Sequence, residues 1–138
     1  MVISKKVHVN RTPEDAFRLF VDDMGKWWPL HAGRYSYGGD RAQDIFLEAH
    51  QGGRFYERFK DGEEFVVGQV IECDRPNHIV FTWNAGPESA TEVDVRFVAG
   101  GQGTDVQLEH RGVEKMGEMG ASFDAGWDDV LGHYTRAA

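Results

Sequence analysis

The spacing of hydrophobic positions divides the chain into four stretches. A strand-like stretch, Val2–Val9, opens the sequence. A short helix is predicted from Thr12 and Pro13, because threonine can cap a helix and proline suits its first position. Between residues 44 and 112 apolar and polar residues mostly alternate, which is typical of half-buried strands. The last stretch returns to helical spacing and predicts one long C-terminal helix.

The central stretch predicts six strands, separated by short turns rich in glycine, proline, asparagine and aspartate. Links of this length join antiparallel neighbours, because a parallel crossover needs a dozen or more residues. The predicted architecture is therefore α+β, with an antiparallel sheet and helices on one face, in a single domain over residues 1–138. The six strands are Asp44–His50, Arg54–Lys60, Glu64–Asp74, His78–Asn84, Thr91–Ala99 and Thr104–Gly112, and the fourth turn is placed at Gly86-Pro87.

One face of this sheet is predicted to be apolar and covered by the C-terminal helix. Two ionisable residues, Glu57 and His110, fall on that face. A buried carboxylate or imidazole needs a hydrogen bond, a counter-charge or water, so two interpretations stay open. Either the pair is satisfied within the core, or it supplies the polar groups of a cavity between helix and sheet. The helix contributes a stripe of Met119, Phe123, Trp127, Val130, Leu131 and Tyr134.

Composition and charge narrow the range of functions. The 138 residues carry a net charge of -8, which argues against nucleic acid as a partner. No apolar run approaches the roughly 20 residues of a membrane span. A single cysteine, Cys73, excludes an internal disulfide, so a cytoplasmic location is expected. No cofactor is expected, since Gly100–Gly103 lies between strands as a hairpin turn, and the scattered histidines predict no metal site.

An aromatic cluster follows the first helix. It comprises Trp27 and Trp28 with His31, Tyr35 and Tyr37. It is interpreted either as a hydrophobic plug at one end of the sheet or as the rim of a pocket, where indole and phenol groups offer apolar area and a hydrogen bond.

A set of short motifs extends through almost the whole chain. They are Met24–Pro29, Gln51–Arg58, Gly68–Ile71 before Asp74–Pro76, Val80–Trp83, Glu109–Val113 and Gly126–Leu131. Together they resemble the SRPBCC superfamily of START and birch-pollen-allergen-like proteins. The nearer match is the branch similar to the C-terminal domain of the heat-shock-protein-90 ATPase activator. The resemblance implies a helix-grip fold, in which a curved seven-stranded antiparallel sheet wraps around a long C-terminal helix. Such folds commonly keep an apolar cavity, but their members include lipid carriers, cyclases and a co-chaperone domain, so the fold does not assign a function.

The leading hypothesis is binding of a small, mostly apolar molecule with one polar group, with Glu57 and His110 orienting it and the loop from Trp28 to Tyr37 as a lid. A second is a cyclase, dehydratase or hydrolase that uses His110 and Glu57 as general base and acid. A third is a chaperone-interacting stress-response module acting through the exposed face formed by Arg54, Tyr56, Arg58, Glu92, Asp94 and Arg96. Under any of the three, the protein is expected to be a monomer or a homodimer. The predicted ligand-binding residues are Trp28, His31, Phe55, Glu57, Trp83, Phe97, Leu108, His110, Phe123 and Trp127.

Overall fold

A computed structural model describes residues 2–32, 34–84 and 90–138, without the side chain of Met119. The turn predicted at Gly86-Pro87 lies outside the described residues. The predicted α+β fold is confirmed, with seven strands and a long C-terminal helix. The strands are β1 Val2–Val9, β2 Ala42–Leu47, β3 Arg54–Phe59, β4 Glu64–Asp74, β5 His78–Trp83, β6 Thr91–Gly100 and β7 Gly103–Arg111, and the helices are α1 Pro13–Phe20, α2 Met24–Trp27 and α3 Glu118–Ala137, with 3-10 turns at Gly39–Arg41 and Val113–Met116.

The seven strands form one antiparallel sheet in the order β1-β7-β6-β5-β4-β3-β2. Gly100 pairs with Gly103 and closes the β6–β7 hairpin, as predicted. The register shifts in three of the strand pairs that include β2, β3 or β4. Such irregularities bend a strand and increase its twist, which helps this end of the sheet to curl around α3.

Short helices follow β1 as predicted, although apolar residues at helical spacing continue through Met24. Thr12 caps α1 as expected, since its Oγ1 accepts the backbone N–H of Asp15 at 3.2 Å. Helix α1 nevertheless ends at Phe20, and Met24–Trp27 forms a separate turn of helix. The break lets both segments bury apolar side chains against the sheet, and the ring of Phe20 packs on Trp27 at a centroid distance of 5.1 Å.

Strand β2 is shifted towards the N-terminus relative to its prediction. Ala42 already pairs with Phe59, whereas the strand ends at Leu47 rather than at His50. The residues after Leu47 turn instead, because the carbonyl of Glu48 accepts the N–H of His50 at 2.9 Å. Because apolar and polar residues continue to alternate after Leu47, the sequence pattern did not predict this turn.

The predicted exposed face of the sheet needs a correction at two positions. Tyr56 and Asp94 were placed there, but they are only 6% and 8% exposed. The guanidinium of Arg54 covers the Tyr56 ring at 3.9 Å from its centroid. Asp94 is enclosed by hydrogen bonds to His78 at 2.6 Å and Arg111 at 3.0 Å. Long basic side chains thus cover residues that alternation alone marks as accessible.

The close approach of β4 to β5 depends on one glycine. A Cβ atom at Gly68 would fall 1.7 Å from the carbonyl oxygen of Thr82, the residue before Trp83 at the end of β5. Only the absence of a side chain allows the two strands to meet here. Gly68 therefore fixes the position of Trp83.

We expect Gly68→Ala to reduce the free energy of unfolding by about 3 kcal/mol, because the strands must separate to admit the methyl group. Urea unfolding measures this loss. The matched control is Gly25→Ala in α2, where a Cβ would meet its nearest atom, the Ile45 carbonyl oxygen, at 3.4 Å. The control should change stability by less than about 1 kcal/mol. Equal effects of the two changes would contradict the close-approach argument.

Candidate functional site

A cavity of about 230 Å³, partly open to solvent, lies between α3, the end of β5 and a loop that we call the rim loop, residues 34–38. Aromatic rings make up most of its wall, and one face of α3 supplies the remainder. The lining residues are Trp28, Arg34, Tyr35, Ser36, Tyr37, Trp83, Ser122, Phe123, Gly126, Trp127 and Val130.

Two indole groups tie the rim loop to the cavity wall. Trp28 Nε1–H donates to the backbone carbonyl of Tyr35 at 2.9 Å. Trp83 Nε1–H donates to the hydroxyl oxygen of Tyr37, also at 2.9 Å. An indole N–H can only donate, and burying it without an acceptor is costly, so both bonds hold the loop against the aromatic wall.

Glu57 anchors the same loop from the sheet. Its carboxylate is 1% exposed. One oxygen accepts the hydroxyl of Ser36 at 2.6 Å and the other accepts the backbone N–H of Tyr37 at 2.7 Å. Ser36 Oγ in turn accepts the N–H of Gly38 at 3.0 Å. The buried carboxylate is therefore satisfied by the rim loop and organises it into a tight turn.

His110 anchors α3 through a directional series of hydrogen bonds. Trp127 Nε1–H lies 3.0 Å from His110 Nδ1, which must therefore be the acceptor. The imidazole proton then resides on Nε2 and is donated to Thr91 Oγ1 at 2.7 Å. The Thr91 hydroxyl donates onward to the carbonyl of Trp83 at 3.0 Å. This series, which we call the His110 relay, links the helix to three strands and needs a neutral imidazole.

Burial agrees with that protonation state. His110 is 0% exposed, and burial lowers its pKa to about 4. An imidazolium would also place a second N–H against the indole N–H of Trp127, so both solvation and hydrogen bonding disfavour the charged form.

The two tyrosines of the rim loop use their hydroxyls differently. Tyr35 O–H donates to Asp129 on α3 at 2.8 Å, whereas the Tyr37 oxygen accepts from Trp83. Burial raises the pKa of both phenols, so both stay protonated at neutral pH. The Tyr37 ring also stacks on Phe65 with a centroid distance of 4.7 Å.

The ten predicted ligand-binding residues fall into three groups. Four line the cavity: Trp28, Trp83, Phe123 and Trp127. Three are buried directly behind it and support its wall, namely Phe55, Glu57 and His110. The other three lie apart from the lining: Phe97 packs on Phe17 and Phe20, Leu108 is buried in the core, and His31 is exposed.

The structure does not bring Glu57 and His110 together at the empty volume. Each is bonded to a different part of the wall, and neither is among the lining residues. The expected general base and acid thus hold the rim loop and α3 respectively. Strand alternation identified their buried face but could not show which groups they would meet.

Seven lining residues are not among the ten predicted ligand-binding residues. Arg34, Tyr35, Ser36 and Tyr37 belong to the loop interpreted as a lid, and the two tyrosines to the cluster interpreted as a pocket rim, whereas Ser122, Gly126 and Val130 were not predicted as site residues. One sequence signal could have found Gly126, because it lies within the apolar stripe of α3, one turn before Val130. A glycine on the buried face of a helix leaves space where a side chain would otherwise pack. Its added Cβ would meet only Tyr35, at 3.6 Å.

Within the described ranges, no group of three or more histidine, cysteine, aspartate or glutamate side chains could hold a metal ion. None of the described helices is long and apolar enough to cross a membrane.

Comparison with known proteins gives one family match and many structural relatives. Residues 10–135 match the model of the family described as Activator of Hsp90 ATPase homolog 1-like protein. No functionally curated protein matches the chain significantly in sequence.

Three of the similar structures cover nearly the whole chain. The Aha1 dimer from Colwellia psychrerythraea is 18% identical with a TM-score of 0.75 and covers 99% of this chain and 95% of its own. An AHSA1-like protein from Aeromonas hydrophila is 22% identical with a TM-score of 0.72, covering 99% and 90%. Txn09, an anthrahydroquino-gamma-pyrone synthase solved as a complex, is 26% identical with a TM-score of 0.70, covering 99% and 96%. All three share the helix-grip arrangement of sheet and C-terminal helix.

The His110 relay predicts a specific pH dependence of stability. Above pH 6.5 the imidazole is mainly neutral in the folded and the unfolded protein, so its titration does not lower the free energy of unfolding. As the pH falls from 6.5 towards 4, the unfolded chain takes up a proton that the folded protein excludes, so the free energy of unfolding decreases. The contribution of His110 to this decrease should reach about 3 kcal/mol at pH 4.

The comparison variant is His110→Gln, whose amide can accept from Trp127 and donate to Thr91 without titrating. Urea unfolding between pH 7 and pH 4 should show a steeper loss for the wild type than for the variant. Parallel stability curves for the two proteins would contradict the neutral, buried imidazole.

Glu57→Met should release the rim loop, because methionine has nearly the length of glutamate but no strong acceptor for Ser36 and Tyr37. The expected results are faster hydrogen exchange at the Tyr37 amide and a loss of about 2 kcal/mol in the free energy of unfolding. Glu57→Gln is the matched control, since its carbonyl can still accept the Tyr37 N–H. If both variants retain the slow exchange of the wild type, Glu57 does not hold the loop.

Proposed function

The chain belongs to the Activator of Hsp90 ATPase homolog 1-like family, and on that premise we propose that it binds a small, flat, mostly apolar molecule between α3 and the rim loop. The observation that carries this proposal is the aromatic cavity itself. The indole N–H groups of Trp28, Trp83 and Trp127 are all satisfied by protein acceptors. The wall therefore presents ring faces and edges to a ligand, and these indole N–H groups are already bonded within the protein.

The volume of the cavity limits the size of the ligand. A volume of about 230 Å³ corresponds to about eight molecules of liquid water. It is smaller than the 300–1,000 Å³, roughly, of sites for drug-sized ligands. A molecule of one or two fused rings fits this space, and slots between aromatic walls favour a planar one.

The polar group of such a ligand belongs at the rim. Glu57 and His110 are occupied by the protein, whereas Arg34, Ser36 and Tyr37 line the opening. Arg34 is exposed and brings a positive charge to the lining. Binding through buried rings with a polar end towards the rim keeps the ligand's polar atoms solvated or hydrogen-bonded.

Chemical conversion in the same cavity is the second candidate function. It is favoured by the 26% identity to the synthase Txn09 over 99% of this chain. The two functions differ in one observable: a carrier returns its ligand unchanged, and an enzyme does not. Mass spectrometry of native and denatured protein identifies any copurified molecule by its mass, and chromatography of candidate ligands recovered after incubation with the protein shows whether they are returned unchanged.

Gly126 offers a direct test of the cavity. Leucine at position 126 should extend into the space now bounded by Tyr35, with its Cβ in ordinary contact at 3.6 Å. Gly126→Leu should therefore abolish binding of indane, a two-ring hydrocarbon, while α3 gains about 1 kcal/mol from the better helix former. Binding is measured by NMR on the indole N–H signals of the cavity tryptophans.

The matched control is Gly132→Leu on the same helix. Gly132 is not a lining residue, and the atoms nearest to its added Cβ belong to the flexible end of Arg136, at 3.3 Å and beyond. The control should gain helix stability and still bind indane. Failure of indane and related one- and two-ring hydrocarbons to bind the wild-type protein would falsify the proposed function.

A further inference from the structure

Tyr37 brings a phenol hydroxyl to the cavity wall. Its oxygen accepts the Trp83 indole N–H at 2.9 Å. Because an indole nitrogen never accepts, the phenol proton cannot be shared in this contact and is free for another partner. In residues 2–32, 34–84 and 90–138, no hydrogen bond uses this hydroxyl as its donor.

The neighbouring tyrosine shows the contrast. Tyr35 also lines the cavity, but its O–H is donated to Asp129 at 2.8 Å. The Tyr35 hydroxyl therefore donates to α3, whereas the Tyr37 hydroxyl donates to no group among the described residues. Accepting a hydrogen bond also polarises the Tyr37 hydroxyl and makes it a stronger donor.

Three contacts hold this donor in place. The Tyr37 N–H is bonded to Glu57 at 2.7 Å, and its ring stacks on Phe65 at 4.7 Å with an interplanar angle of 22°. Its oxygen is fixed by Trp83, a second lining residue. Although Tyr37 is 47% exposed as a whole, its hydroxyl is held at the wall that a ligand would touch. A donor positioned before binding costs a ligand little ordering entropy.

We propose that Tyr37 donates its hydroxyl proton to a carbonyl oxygen of the bound molecule, so that the site selects flat ring ketones and quinone-like molecules over hydrocarbons of the same shape. This inference rests on the proposed function, since it concerns a ligand in the same cavity. The raised pKa of Tyr37 keeps the donor protonated at neutral pH. The ring of the ligand lies against the indoles, and its oxygen faces the rim.

The test uses 1-indanone and indane, which differ by a carbonyl group in place of one methylene. Both are titrated into the full-length protein, and dissociation constants are read from the indole N–H signals. One additional hydrogen bond should make 1-indanone bind about fivefold more tightly than indane. Because both molecules occupy the same cavity, their ratio cancels general effects on folding and packing.

The variant Tyr37→Phe keeps the ring that stacks on Phe65 and removes the hydroxyl, which also leaves the Trp83 indole N–H without its acceptor. It should eliminate the preference for 1-indanone. Tyr35→Phe makes the same chemical change at the phenol that donates to Asp129 and should keep the preference. A second readout avoids variants altogether: the carbonyl stretch of 1-indanone should shift to lower frequency on binding the wild type, relative to an apolar solvent.

The outcomes separate the two proposals. Binding of both molecules with equal affinity, and no shift of the carbonyl stretch, would overturn the role of Tyr37 and leave the apolar cavity intact. A preference that survives in Tyr37→Phe, without a shift of the Trp83 indole N–H signal that would mark this freed donor as the ketone's new partner, would also overturn it. If neither molecule binds the wild type, the proposed function fails and the inference fails with it. A preference lost in Tyr37→Phe alone, together with the shifted stretch, supports the assignment.

Discussion

Four tryptophans at 9% exposure or less impose a common requirement on this fold, because each indole N–H must find an acceptor away from water. Two acceptors are supplied by the rim loop and one by the histidine of the His110 relay, so satisfying the indoles also fixes the loop and α3. The aromatic wall of the cavity and the elements that enclose it are thus stabilised by the same bonds. The four bonds are Trp27 to the Leu19 carbonyl, Trp28 to the Tyr35 carbonyl, Trp83 to Tyr37 Oη and Trp127 to His110 Nδ1.

The sequence predicted the buried location of Glu57 and His110 but not their partners. Alternation with period two places a residue on one face of a sheet, and both residues lie on the predicted face. Their partners are 17 to 21 residues away along the chain and belong to other elements, where no periodicity applies. The rim loop has no repeating pattern, so its path follows only from the acceptors and donors that it meets. Of the two interpretations that the pattern left open, the first applies: Glu57 and His110 are each buried and hydrogen-bonded within the protein. Each of them also supports the wall of the cavity.

The order and type of the elements were predictable for a different reason. Seven strands and a terminal helix each have to bury one face, and this requirement is visible as alternation in several of the strands and as the apolar stripe of α3. The end of β2 differs from its prediction because local hydrogen bonds form a turn at Glu48, although the polar and apolar residues there still alternate as in a strand. The cavity was predictable only in outline, because it depends on space that side chains leave empty. Gly126 shows this well: it lines the cavity with no side chain at all.

The way in which the rim loop is anchored bears on how one fold can serve different ligands. Trp28 binds the backbone carbonyl of Tyr35, and Glu57 binds the backbone N–H of Tyr37, so neither bond depends on which side chain those positions carry. The side chains at 34 and 35 can therefore change the chemistry of the rim without releasing these two anchors. Position 37 is different, since its hydroxyl is the acceptor for Trp83. Relatives with TM-scores of 0.70 to 0.75 at 18–26% identity share the scaffold, and a shared scaffold does not fix the chemistry of a site built on it. In this chain the same physical requirement, an acceptor for a buried indole, places at the cavity a phenol that donates its own proton to no group in the described part of the chain.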